Sequence, residues 1–395
     1  MTLISESEVL KDFCEGLSST NFITVDTEFL RDKTYWPQLC LVQIGGPNGG
    51  AVIDVLADGI DLTPVLELMA QPDLMKVFHA ARQDFEIFYR LMGELPSPVI
   101  DTQISAMACG FGDAVGYETL VKQLTQKQID KSMRYTDWQK RPLSQQQVDY
   151  ALADVTHLRV VYEKLSQLVE SGNRKEWINE ELATILDPAL YTFNTREAWK
   201  RFKVKNPTPR MLGILREVSA WREKEAQKYN VPRNRIARDD VVLSLAIQKP
   251  RSIGDLKIMR GLHERQRKGK TAENILAAIS QGISTPIEEC PKVFKLHNKT
   301  AKAGPTSDLL KVLLKLKCAE HSVAQKLIAN SDEIEELARN DHAEIRALSG
   351  WRRKIFGDDA LALKHGQIAI TLVDKSLRVI KVDQSNFNYK THNSS

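Results

Sequence analysis

Strand-like runs of apolar and polar positions fall in the N-terminal part of the chain, interleaved with helical spacing, and the later part reads as helices. The stretch Phe22-Ile23-Thr24-Val25-Asp26-Thr27-Glu28-Phe29 is rich in β-branched and aromatic residues and reads as a strand. Residues 39–44 and 51–55 read as two more. Between them, Gly45-Gly46-Pro47-Asn48-Gly49-Gly50 carries turn chemistry and predicts a hairpin. Short strands are expected at 76–79 and 99–102. Residues 5–17, 62–70, 84–92, 102–107 and 117–124 have helical spacing. Consecutive strands followed by strands alternating with helices predict an α/β domain with a mixed sheet.

The stretch from Asp130 to Trp138 is polar and without period. After it, Ser144 with Gln147 three residues on fits a capping box, which opens a long helix over 145–170. Residues 174–186 continue in helical style. Pro188, Pro207 and Pro209 mark 187–209 as a linker region. Beyond it the strand patterns vanish. Helices are expected at 212–229, 238–247, 253–259 and 272–280, then at 307–328, 331–340, 342–349 and 351–356. This gives a domain at 1–188, a linker at 189–206, helical domains at 207–287 and 305–373, and a polar tail at 374–395.

Composition narrows the class. The chain has 395 residues, 42% hydrophobic and 27% charged, enough to fold around two or three real cores. Net charge is only +4, so any nucleic-acid surface must come from local clustering. The five cysteines are scattered without a CxxC pair, which argues against a disulfide framework or a structural zinc site and fits a reducing cytoplasm. The N-terminus lacks a basic start and an apolar run, and no apolar stretch approaches ~18 residues, so neither a signal peptide nor a membrane span is expected.

Four carboxylates carry the candidate chemistry. Side chains alternate across a strand, so Asp26 and Glu28 share a face and Thr27 takes the other. Asp84 begins a helix just after a strand. Asp154 lies on the long helix, with Tyr150 one turn before it on the same face. Taken singly, each acid has an ordinary reading: Asp84 as an N-cap, Asp154 as a solvated helix position. Together, such acids can converge at a sheet edge, and an all-oxygen donor set suits Mg²⁺ or Mn²⁺. Two such ions ~3.5–4 Å apart are a standard device for in-line attack on a phosphodiester.

Three motifs in order, Asp26-x-Glu28, His79-x4-Asp84 and Tyr150-x3-Asp154, resemble the ribonuclease D group of DEDD-type 3′–5′ exonucleases, in the tyrosine subclass. Thr34-Tyr35-Trp36-Pro37-Gln38-Leu39, Ile100-Asp101-Thr102-Gln103, Thr136-Asp137-Trp138 and Arg141-Pro142-Leu143 extend the match. The helical units resemble HRDC domains. The resemblance implies an RNase H-like exonuclease domain followed by two all-α HRDC-like domains. It implies that Asp26, Glu28, Asp84 and Asp154 hold two divalent metal ions, and that Tyr150 orients the attacking water. It also implies release of nucleoside 5′-monophosphates from RNA 3′ ends, above all precursor tRNA, by a cytoplasmic protein. A monomer is expected. No catalytic position departs from the family pattern. A DNA exonuclease and a non-catalytic RNA-binding protein are the rival readings.

Further residues have two readings each. Phe29 stacks on a terminal base or packs in the core, and His79 touches substrate or fills a strand end. Asp101 supports the site or caps a strand end. Residues 257–270 hold six Lys or Arg against one acid. Arg265, Arg267 and Lys268 in that run are candidates for phosphate contacts, against the plainer reading of a solvated face.

Overall fold

The computed structural model describes residues 3–130, 132–292 and 304–383. A six-stranded mixed sheet organises the N-terminal half, in the order β1-β4-β3-β2-β5-β6. The strands are β1 (Leu3–Ile4), β2 (Phe22–Leu30), β3 (Gln38–Gly46), β4 (Gly49–Asp54), β5 (Met75–Phe78) and β6 (Val99–Asp101). The β3–β4 hairpin forms as expected, although its strands run through the glycines and leave only Pro47 and Asn48 as the loop. Strand β2 lies at the centre, antiparallel to β3 and parallel to β5.

Among the described residues, seven helices surround the sheet: α1 (Ser7–Leu17), α2 (Thr63–Ala70), α3 (Arg82–Met92), α4 (Thr102–Ala108), α5 (Tyr117–Thr125), α6 (Gln145–Ser171) and α7 (Lys175–Ile185). Ile23, Val25, Val42 and Ile44 of the sheet pack with Leu10, Met69, Phe85 and Phe88 of α1 to α3. Helix α6 crosses the opposite face. There Val148 and Ala151 meet Leu41 and Val52, while Leu158 and Val161 meet Val77 and Leu120. The capping box that opens α6 is present, with Ser144 and Gln147 exchanging hydrogen bonds.

The stretch expected as a linker is built into the fold. It contains two 3₁₀ segments, Pro188–Leu190 and Thr195–Arg201. Tyr191 is buried in the sheet core, and its hydroxyl donates to the Ile185 carbonyl. The first helical unit follows as α8 (Pro209–Lys228), α9 (Arg233–Ile236), α10 (Asp239–Gln248), α11 (Ile253–Ile258) and α12 (Gly269–Ser284), closed around Leu215, Val218, Leu245, Leu256 and Ile275. It grips the loop after β2. The Tyr35 hydroxyl donates to buried Glu223 at 2.8 Å, and the Asn230 side-chain oxygen accepts from the backbone N–H groups of Tyr35 and Trp36. Tyr35 and Trp36 thus serve packing between units.

The second unit comprises α13 (Gly304–Glu320), α14 (Gln325–Ile328), α15 (Ser331–Arg339), α16 (Gly350–Arg352), a π-helical turn Arg353–Gly357 and α17 (Asp358–Lys364). Two helices expected here differ. The one over 307–328 breaks after Glu320, because docking competes for its backbone. Arg174 gathers the carbonyls of His321 and Ser322, and the Ala324 N–H donates to the Met107 carbonyl at 2.9 Å. The one over 342–349 reduces to a 3₁₀ turn at Arg346–Leu348, because Glu333 captures both the backbone N–H and the guanidinium of Arg346. The tail expected from residue 374 begins instead inside a hairpin of β7 (Ile368–Val373) and β8 (Ser376–Lys381). Asp374 and Lys375 turn it with positive φ, the hairpin geometry that matches strand twist. Residues 384–395 of that tail lie outside the described residues. No described helix is long and apolar enough to cross a membrane.

The second unit shares a core with helices of the N-terminal half. Ile178 and Leu182 of α7 pack with Leu314, Trp351 and Phe356, and Trp177 stacks on Trp351 with centroids 4.3 Å apart. Buried Arg352 pairs with Glu181 and with Glu180 at 2.7 Å, and donates to the Leu327 carbonyl. Removing one partner of a buried pair costs more than the pair itself contributes, because the other charge is stranded. Arg352→Ala should therefore destabilise the protein by about 3 kcal/mol and expose the second unit to protease. An unchanged urea midpoint would contradict this account of the interface.

Candidate active site

The sheet and α6 meet over a cleft of about 590 Å³. Its floor is β2, where Asp26 and Glu28 project toward α6. The ladder to β3 shifts register between Glu28 and Phe29, a bulge that ends regular pairing beside the acidic pair. Helix α6 brings Asp154. One ligand oxygen from each of Asp26, Glu28 and Asp154 lies within 4.8 Å of the others.

Three contacts fix the height of α6 above β2. Thr24 on β2 donates its hydroxyl to the Val155 carbonyl at 2.7 Å. Tyr117, at the start of α5, donates its hydroxyl to the Asp154 carbonyl. Gly45 permits the close approach, since a Cβ there would sit 3.0 Å from the Val155 carbonyl oxygen. Neither Thr24 nor Tyr117 stood out in the sequence. Both bond to backbone carbonyls, which no side-chain motif reveals.

Asp84 is placed differently from the other three acids. Helix α3 begins at Arg82, so Asp84 sits in its first turn rather than at its cap. It is buried, and its carboxylate accepts the hydroxyl of Thr27, which points away from Asp26 and Glu28. The structure therefore gathers three carboxylates and holds the fourth behind the strand, close enough for its charge to act on Glu28.

The electrostatics follow from this crowding. Burial pushes Asp26 up to about 6. Burial, then the charges of Asp26, Asp154 and Asp84, push Glu28 up to about 10, with Arg134 pulling the other way. Burial and Asp26 also raise Asp84 and Asp154 well above the carboxylate range. Two like charges 4.8 Å apart repel by about 3–4 kcal/mol at an effective dielectric near ~20. An all-oxygen set under such strain fits hard divalent cations. Beside Asp26, Gln43 is its direct cross-strand neighbour on β3, fully buried and without a hydrogen-bond partner for either amide atom.

Tyr150 lies one turn before Asp154 and lines the cleft, its ring 6.0 Å from Trp138. Burial and the charges of Asp154 and Glu28 raise its pKa, so the hydroxyl stays protonated. Phe29 is half-buried and lines the cleft. His79 lies just past β5 and also lines it. The Thr102 hydroxyl donates to the Phe78 carbonyl, so His79 Nδ1, 3.0 Å away, is the donor to that oxygen. Burial lowers the His79 pKa and favours the neutral ring. Asp101 caps α4 through the Gln103 N–H and also accepts from the N–H groups of Ala80 and Ala81. It thereby shapes the turn that leads into α3.

The basic residues of the first helical unit lie apart from this cleft. Arg265 and Lys268 line an open groove with His263 and Glu264. Arg265 donates to the Arg235 carbonyl, half-buried Arg267 braces the Met259 carbonyl, and Lys268 pairs with Glu264. The structure does not bring them to the carboxylates.

Comparisons with known proteins agree with this architecture. Residues 1–170 match the family model for a 3′-5′ exonuclease, and residues 211–279 match that for an HRDC domain. A ribonuclease D of Granulibacter bethesdensis is 46% identical over 380 residues, covering 96% of each chain. One of Nitrobacter hamburgensis is 43% identical, over 98% of this chain and 100% of its own. Among solved structures, Escherichia coli RNase D, described as an exoribonuclease involved in structured RNA processing, superposes with a TM-score of 0.77 at 26% identity, covering 92% of this chain and 98% of its own. The catalytic core of RRP6 from Trypanosoma brucei shares the fold, with a TM-score of 0.54 at 23% identity.

The acids are harder to ionise in the folded chain than in the unfolded one. Their contribution is thus favourable below the ordinary carboxylate range and is lost as pH rises through about 6 for Asp26 and about 10 for Glu28. Chelated protein should melt at progressively lower temperature across that window, and added Mg²⁺ or Mn²⁺ should remove most of the loss. A melting temperature independent of pH and of metal would contradict the proposed strain.

Proposed function

The chain belongs to the ribonuclease D family, and from that premise we propose that it is a metal-dependent 3′–5′ exoribonuclease that trims 3′ extensions of structured RNAs, precursor tRNA foremost. The observation that carries this reading is the convergence of Asp26, Glu28 and Asp154 beneath a cleft that also presents Tyr150. We assign Asp26, Glu28, Asp84 and Asp154 to two divalent cations, Mg²⁺ or Mn²⁺, since the donors are all carboxylate oxygens. Asp84, bonded here to the Thr27 hydroxyl, would complete the set from the side of α3.

When bound, such a cation pair supplies acidity to an attacking water and a positive partner for the leaving oxygen. The chain's own residues do the positioning. Thr24 and Tyr117 fix Asp154 above the Asp26–Glu28 pair. Tyr150 keeps its proton, because burial and nearby carboxylates hold its pKa high. It therefore orients a water by hydrogen bonding instead of abstracting its proton. Phe29 offers an apolar face to the terminal base, since base stacking tolerates any sequence. His79, kept neutral by burial and bonded to Thr102, lines the same wall.

The HRDC-like unit over 207–287, with Arg265 and Lys268 on its open groove, would hold the body of the RNA by its phosphates. The unit over 305–373 braces α7 and so supports the lower end of the active-site helix. The protein would act as a cytoplasmic monomer.

A paired digestion tests the assignment. A 3′-labelled tRNA with a short tail and a DNA oligonucleotide of matched sequence would each meet the protein with Mg²⁺ and with chelator. Metal-dependent release of mononucleotides from the RNA is expected, with the DNA largely spared. Equal attack on DNA would point to a DNA exonuclease, and tight RNA binding without release to a non-catalytic binder. Asp26→Ala should abolish turnover while leaving RNA binding. Tyr150→Phe should lower kcat by about 10²-fold with little change in KM. An unchanged rate would exclude Tyr150 from the chemistry.

A further inference from the structure

Resting on the exoribonuclease reading, we propose that Arg134 is a substrate-contacting residue of the same site, binding the phosphodiester at the cleavage point. The charge on the cleft walls points to it. Among the described residues that line the cleft, Asp26, Glu28, Glu118 and Asp154 are acidic, and Arg134 is the one Lys or Arg. His79 adds no fixed charge, because burial favours its neutral ring. Two divalent cations would offset the four carboxylates assigned to them. The phosphodiester charge, and the further negative charge that develops on its oxygens during attack, would still need a partner. Arg134 is the cation in position to supply it.

Its geometry suits that role. Arg134 is exposed, and it makes no ion pair or hydrogen bond with any described residue, so its guanidinium donors are open to a ligand. It lines the cleft together with Glu28, Tyr150 and Asp154, and its charge acts on all three. The segment that carries it is anchored just downstream. Trp138 is buried under α6, and the Thr136 hydroxyl accepts from the Gln147 side chain in the α6 cap. Tyr135 beside it is 89% exposed, with its ring 5.4 Å from the guanidinium carbon. A base stacked on that ring would set its phosphate next to Arg134. Arginine suits the task because its planar fork matches two phosphate oxygens.

The test compares wild type, Arg134→Ala and Arg134→Lys on the 3′-tailed RNA with Mg²⁺, over a range of salt. Arg134→Ala should lower kcat/KM by about 30-fold, the weight of one charge-assisted hydrogen-bonded contact. It should also flatten the dependence of log(kcat/KM) on log[salt] by about 0.7, the value for one phosphate contact on a single strand. Arg134→Lys should restore the salt slope but only part of the rate. Mn²⁺ binding, followed by electron paramagnetic resonance, should persist and melting temperature should not change, since Arg134 makes no ion pair or hydrogen bond with a described residue and its one ring contact is to exposed Tyr135. An Arg134→Ala enzyme within about twofold of wild type in rate, with an unaltered slope, would overturn the proposal. So would loss of Mn²⁺ binding, which would place Arg134 in the support of the carboxylates. Wild-type protein inert on RNA would instead overturn the exoribonuclease reading on which this one rests.

Discussion

Mutual repulsion among Asp26, Glu28 and Asp154 is the constraint around which this protein is arranged. Their oxygens come within 4.8 Å of one another in a cleft that is partly shielded from water. An unconstrained chain would let such groups separate. Here β2 is held on both sides, by β3 and β5, so Asp26 and Glu28 cannot move apart. Helix α6 cannot lift away, because Thr24 and Tyr117 bind two consecutive carbonyls at the turn that carries Asp154. The fold thus stores an electrostatic cost that a cation would relieve. Sites that concentrate perturbed acids in this way are characteristic of catalysis.

The helical units reinforce the same elements. The first grips the loop that leaves β2, through Tyr35, Glu223 and Asn230. Buried Glu223 is itself held by Arg233 at 3.0 Å. The second packs on α7, the continuation of α6, through Arg352 and the Trp177–Trp351 stack. Both units therefore attach to segments that flank the acidic strand or its facing helix. Each helical unit is in this way mechanically continuous with the acidic strand or its facing helix.

Much of this was legible in the sequence. The acidic strand, the β3–β4 hairpin, the capping box at Ser144 and the Tyr150–Asp154 spacing each rest on local chemistry, and each appears where its pattern places it. What escaped depends on contacts between distant segments. The break after Glu320 comes from carbonyls drawn to Arg174, and the shortened helix at Arg346 from capture by Glu333. Tyr117 acts on a backbone carbonyl 37 residues away. The β7–β8 hairpin had a local signal, the alternation Ile368-Ala369-Ile370-Thr371-Leu372, which the helical surroundings masked. Asp84 was legible as a member of the acidic set, but its attachment to Thr27 required the packing of α3 against β2.

The most direct test of the central claim is the number of cations the carboxylates hold. Mn²⁺ would be titrated into metal-free protein near neutral pH and free and bound ion separated by electron paramagnetic resonance, for wild type and for Asp154→Asn. Two ions per wild-type chain are expected, close enough for their spins to couple, with loss of the coupled signal in the variant. Uncoupled or negligible binding in wild type, or an identical signal in Asp154→Asn, would contradict that claim.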